Sequence, residues 1–180
     1  MDTEKERQKI ERSFRSLEGQ TNALFDYLKP YDDEILQTPV SSGVWSSMQV
    51  LTHLLLTEQL SLKYIQKKLS FQPELAKAGL KSRLRLSLLR IYLISPLKFK
   101  APEAVQSQDR TPQCNLEEFG QIWQAERAKM KEFIRELDND LLIKEVYKHP
   151  FVGRLSIAQM LQFFQHHFHR HEKQILKRLP

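Results

Sequence analysis

The chain has one cysteine, five glycines among 180 residues and no long apolar run, and each scarcity removes a class of protein. A lone thiol, Cys114, cannot build an internal disulfide framework or a cysteine-based zinc site, so a stapled secreted fold is excluded and a cytoplasmic setting is expected. It sits in a connector close to Pro112, with no base in the adjoining sequence to activate it. So few glycines leave no phosphate-cradling loop, and no alternating series of strands is present. The opening stretch Met1-Asp2-Thr3-Glu4-Lys5-Glu6-Arg7 is charged and lacks the apolar run of a signal peptide. Nowhere does the sequence approach the roughly 20 apolar residues of a membrane span, so no membrane partner is expected.

Charge is the next constraint. The 28 basic and 22 acidic residues give a net +6, but the surplus is spread over several segments. No basic stretch is interleaved with aromatics, and nucleic acid is not expected as a partner. From Lys81 to Lys100 there are six basic residues, Lys81, Arg83, Arg85, Arg90, Lys98 and Lys100, and no acidic one. This pattern reads as a basic amphipathic helix whose long side chains reach out to water, or as a contact for an anionic group.

What remains is strongly helical periodicity. Ile10, Phe14, Leu17, Leu24, Phe25 and Leu28 form a core-facing stripe on a helix over residues 4–28, ended by Pro30. Residues 31–45 read as a long connection, closed by Trp45 in a core-packing or pocket-lining position. Ser46 with Gln49 makes a capping box for a second helix to about Leu69, apolar on more than one side. Residues 76–94 can form a further helix, stopped at Ser95-Pro96. Asn115 with Glu118 caps a third long helix, with Leu116, Phe119, Trp123, Met130, Ile134 and Leu137 inward, ending near Asp138. After a bend at His149-Pro150-Phe151-Val152-Gly153, Ser156 with Gln159 caps a last helix running to Leu179. The expectation is an all-α fold: one domain over residues 1–180, a four-helix bundle with a helical or irregular excursion between helices 2 and 3.

Four of the six histidines fall between His166 and His171. His171 lies within the apolar stripe of the last helix and His167 at its edge, whereas His166 and His169 point elsewhere. Their i,i+4 spacing stacks the two rings on one side of the helix, which is a metal-ligand geometry and also an ordinary surface pattern. His53 stands on an apolar face of the second helix, where an imidazole needs a partner. If helices two and four meet along one core, three imidazoles converge on a divalent ion such as zinc, nickel or iron. The alternative is two partly exposed histidines and one satisfied core histidine. No His-Glu-x-x-His pair is present, and Glu58 and Glu172 read as solvated or supporting groups. Arg154, Arg170, Trp45 and His149 are further candidates for the neighbourhood, with Arg170 expected to face solvent and His149 to make a turn hydrogen bond or an exposed loop position.

Three blocks carry a family resemblance: Trp45-Ser46-Ser47-Met48-Gln49-Val50-Leu51-Thr52-His53-Leu54, then His149-Pro150-Phe151-Val152-Gly153-Arg154-Leu155-Ser156, then His167-Phe168-His169-Arg170-His171-Glu172-Lys173-Gln174-Ile175. With these blocks the chain resembles the DinB-like superfamily, also described as YfiT-like. The resemblance implies a four-helix bundle with a divalent metal held by one histidine of the second helix and two of the last, here His53, His167 and His171. It also implies a metal-dependent enzyme, a low-molecular-weight thiol S-transferase or thiol-dependent isomerase acting on small electrophiles with a thiol cosubstrate. No feature chooses among bacillithiol, mycothiol and glutathione. A metal-dependent hydrolase and a non-catalytic metal-stabilised bundle, homodimeric through the second apolar face of helix two, are the other readings.

Overall fold

A computed structural model describes residues 3–95, 105 and 113–180. Pro96, Lys98, Lys100, Pro102 and Pro112, which entered the reading of the sequence, lie outside the described residues. The elements in order are α1 (Thr3–Leu28), α2 (Asp33–Gln37), α3 (Ser47–Leu69), α4 (Leu80–Ile94), α5 (Leu116–Glu136), α6 (Asn139–Leu142), β1 (Tyr147–His149), β2 (Gly153–Leu155) and α7 (Ile157–Leu176).

The architecture is a mostly helical bundle in which α7 packs against α1, α3 and α4, while α5 closes on α1 and α3. Three long helices begin at the capping boxes expected from the sequence. Ser46 accepts from the Gln49 amide at 3.2 Å and its own amide donates to Gln49 Oε1 at 2.8 Å. Asn115 with Glu118 and Ser156 with Gln159 repeat the reciprocal pair, which satisfies amides a helix start leaves without partners. Leu17, Leu24, Leu51, Trp123, Met130, Leu161 and Phe168 are buried in one core.

Several expectations are corrected. The fold is not purely α: β1 and β2 form an antiparallel hairpin, with Tyr147 opposite Leu155 and His149 opposite Gly153. This hairpin lies between α6 and α7, where a bend was expected, while the excursion expected between the second and third long helices is there as the helix α4. Tyr147, His149 and Leu155 turn inward, and Gly153 at φ +87° supplies the left-handed backbone of the turn. The connection over residues 31–45 contains the short α2, anchored by the buried Leu36. Helix α4 begins at Leu80 and not at residue 76, because residues 76–78 are drawn into extended pairing. Lys77 bridges Lys144, the Ala78 amide donates to Ile143 O at 2.8 Å, and the Glu145 amide donates to Ala76 O at 2.9 Å. The last helix ends at Leu176, three residues short of Leu179.

Candidate metal centre

Helix α3 presents His53 inward, and α7 presents His167 and His171 one turn apart on the side facing it. The three rings meet. His53 Nε2 and His167 Nε2 are 3.1 Å apart, and His171 Nε2 and His167 Nε2 are 3.0 Å apart. The available ligand atoms of all three lie within 4.8 Å of one another.

The other ring nitrogens settle the protonation. His53 Nδ1 lies 2.8 Å from the carbonyl oxygen of Val105, and His171 Nδ1 lies 2.6 Å from Gln174 Oε1. Both partners can only accept, so each Nδ1 carries the proton and each Nε2 turns a bare lone pair toward its neighbours. A single N–H on His167 Nε2 could satisfy one neighbour and would leave lone pairs opposed at the other. A cation at the centre removes that conflict. Nitrogens bound tetrahedrally at about 2.0–2.1 Å stand about 3.3 Å apart, close to the spacing found here.

Electrostatics points the same way. Burial, reinforced by His171, His53 and His149, holds His167 well below the ordinary imidazole range. Burial and then His53 push His171 down to about 3, against the raising effect of its bond to Gln174. His53 is lowered by burial and partly restored by its bond to Val105. Neutral imidazoles are the ligand form, so these rings are ready for a metal without first losing a proton.

Aromatic walls hold the rings. Trp45 leans on His53 with ring centroids 5.2 Å apart, and Phe163 stacks on His167 at the same separation. The same Phe163 ring makes an edge contact with His149 at 4.6 Å. His149 makes the expected turn hydrogen bond, accepting from the Phe151 amide at 3.2 Å, but it is buried and not exposed. Its ring is pushed down to about 4 by burial.

The remaining candidates have other work. Glu58 is neither solvated nor near the rings: it is buried, with Arg127 donating to both carboxylate oxygens at 3.0 and 2.7 Å and Trp123 Nε1 donating at 3.2 Å. Arg127 also donates to Leu17 O at 3.0 Å, so one ion pair ties α3, α5 and α1 together. Glu172 pairs with His169 at 3.1 Å. Arg170 does not simply face solvent; it donates to Leu93 O and Ser95 O, both at 2.8 Å, and so satisfies carbonyls at the end of α4. Arg154 is exposed, and its carbonyl accepts from Arg85 at 3.2 Å.

A mostly helical bundle whose second and last long helices bring three histidines into a site able to bind a metal ion defines the class. The profile of the DinB superfamily matches residues 16–175, and the chain belongs to that superfamily. Comparison with curated proteins and with solved structures returned no match.

Proposed function

We propose that His53, His167 and His171 hold a divalent cation and that the protein is a metal-dependent enzyme, a low-molecular-weight thiol S-transferase acting on small electrophiles. The observation that carries the metal is the convergence of two Nε2 lone pairs, with Nδ1 protons pinned elsewhere, on the Nε2 of His167. Support for an enzyme comes from the ligand count. Among the described residues the cluster has three donors, and Glu58 and Glu172 are engaged with Arg127 and His169. Structural zinc sites are normally closed by four protein ligands, whereas three leave a position for a reactant.

A divalent ion at this site supplies Lewis acidity that lowers the pKa of a thiol or water delivered to it. The chain's own residues do the rest. Val105 and Gln174 hold two rings in the ligating tautomer, and Trp45 and Phe163 wall the site with apolar surface. In the transfer, sulfur bonds to the electrophilic carbon, the leaving group departs with the bonding pair and the thiol proton passes to solvent. The thiol reading rests on family membership; hydrolysis of a small substrate needs the same three histidines and no thiol.

Elemental analysis of protein purified without a metal-affinity tag tests the centre, beside His53→Ala and His171→Ala. One divalent ion per chain, lost in both variants, is expected; a metal-free parent overturns the reading. Turnover of small electrophiles against a panel of thiols then tests transfer. Turnover that is indifferent to thiol supports hydrolysis instead.

A further inference from the structure

Helix α4 is amphipathic in the wrong direction for a helix that is only packed. Leu89 and Leu93 are buried against the bundle, yet Leu80, Leu84, Leu88, Ile91 and Ile94 on the opposite side are between 54% and 81% exposed. Their spacing of i, i+4, i+8, i+11 and i+14 puts them in one continuous stripe along the whole helix. Contiguous exposed apolar surface of this kind marks a contact. Exposed cations flank it, Lys81 along one edge and Arg83 and Arg90 along the other, and α4 has no acidic residue.

The Arg83 edge continues into a cleft of about 630 Å³ between α1, α4 and the start of α7. Lys5, Lys9, Arg12 and Arg83 line this cleft against one carboxylate, Glu6. It also receives the start of α4, where Gly79 offers no side-chain cap, so the partial positive charge of that helix end adds to the cations. Ser156, Gln159 and Gln162 at the start of α7 line the cleft, the last of them about 7.5 Å before His167 along the helix at 1.5 Å per residue, and none of the three histidines lines it.

We infer that the outer face of α4 docks on an anionic phospholipid surface, the leucine–isoleucine stripe entering the headgroup boundary while Lys81, Arg83, Arg90 and the adjoining cleft meet lipid phosphates. An apolar stripe bordered by Lys and Arg is the pattern of a helix that lies in the interface plane. Fifteen residues rise about 22 Å, too short to cross a hydrocarbon core of about 30 Å, and no described helix is long and apolar enough to span one. The expectation that there is no membrane partner weighed spanning segments, which this surface does not require. Charge decides against a second copy on the same face: two α4 helices side by side would set Lys81, Arg83 and Arg90 against their own kind with no acid within the helix to answer them.

Sedimentation with phosphatidylcholine vesicles, with and without phosphatidylglycerol, tests this on the full chain. Binding to the anionic vesicles at least tenfold tighter than to the neutral ones, weakening as salt rises, is expected. Leu84→Asp with Ile91→Asp, and separately Arg83→Glu with Arg90→Glu, should each cut it at least tenfold while the helical circular dichroism is unchanged. Leu88→Trp should shift its emission to the blue on the anionic vesicles. Absence of vesicle binding overturns the inference, as does equal binding to both compositions. A dimer in sedimentation velocity that Ile91→Asp dissociates, without vesicle binding, would assign the face to a second copy. Binding of inorganic phosphate, with vesicle binding indifferent to Leu84→Asp and Ile91→Asp, would reduce the surface to a site for free anions.

Discussion

His53 and His167 are 114 residues apart in the chain, and their Nε2 atoms are 3.1 Å apart in the fold. One N–H on His167 could bridge this pair, but it cannot also serve the His171 Nε2 that lies 3.0 Å from the same nitrogen, so one lone pair is left without a donor. The pair exists because α3 and α7 bury one surface in common, and the third ring, His171, arrives one helical turn further on. Everything chemical about the centre follows from that meeting of two helices.

The first prediction concerns metal removal. An ion that binds only the folded state stabilises it by mass action, by about 4 kcal/mol when free metal is a thousandfold above Kd. Dialysis against a chelator should therefore lower the melting temperature, and added zinc or nickel should restore it. His167→Ala should melt at one temperature with or without metal. A parent protein whose melting is blind to both treatments would count against the centre.

The metal-free protein should also lose stability in mild acid. His149 is held near 4 in the fold by burial, against about 6.5 in an unfolded chain. Between those values the unfolded state binds more protons, so stability is fully present above about pH 6.5 and declines as pH falls toward 4. The His149 contribution is on the order of 3 kcal/mol at the acid end of that window. The depressed His53, His167 and His171 act with the same sign. Urea unfolding of the chelated protein at pH 7.5 and pH 4.5 measures the slope, and His149→Gln should make it shallower.

How much of this could be read beforehand divides along physical lines. The helix starts at Ser46, Asn115 and Ser156 were legible because a capping box is a local, two-residue interaction. The three histidines were legible as residues on apolar helix faces, and the resemblance to a family chose the same positions. The hairpin was not legible: three-residue strands carry too little alternation to announce themselves. Nor was the pairing of Lys77 with Lys144, which depends on segments far apart in the chain. The core ion pair left a signal that went unused. Glu58 stands at i+3 from Leu55 and i−4 from Leu62, and Arg127 at i+4 from Trp123 and i−3 from Met130, so both fall in apolar register. A charge in that position must be buried and must find an opposite.

That ion pair yields the third prediction. Glu58 and Arg127 are both buried, and every strong partner of the carboxylate comes from α5. Removing either charge alone leaves the other desolvated and unpaired, at a cost of about 3–5 kcal/mol. Glu58→Ala and Arg127→Ala should each show it in chemical denaturation. Replacing both together, Glu58→Leu with Arg127→Met, should recover most of the loss because neither charge remains. Metal content should be the same in all three if they fold, since none of these groups reaches the histidines.

The last prediction isolates the tautomer of His171. Gln174 accepts its Nδ1 proton at 2.6 Å, from one turn further along α7. Without that acceptor the ring can carry its proton on Nε2, the atom that must be bare to bind a cation, and it can rotate away from His53. Outer partners of this kind typically cost 10–100-fold in metal affinity when removed. Competition against a chromophoric chelator should show Gln174→Ala weaker by that factor at unchanged stoichiometry, with slower loss of affinity for Gln174→Glu, whose carboxylate can accept the same proton. Glu172→Ala serves as the control, because its partner is the exposed His169 and not a ring of the cluster. Equal affinity in Gln174→Ala and the parent would mean that the Nδ1 contact does not position the ring, and the assignment of its protonation would have to be abandoned.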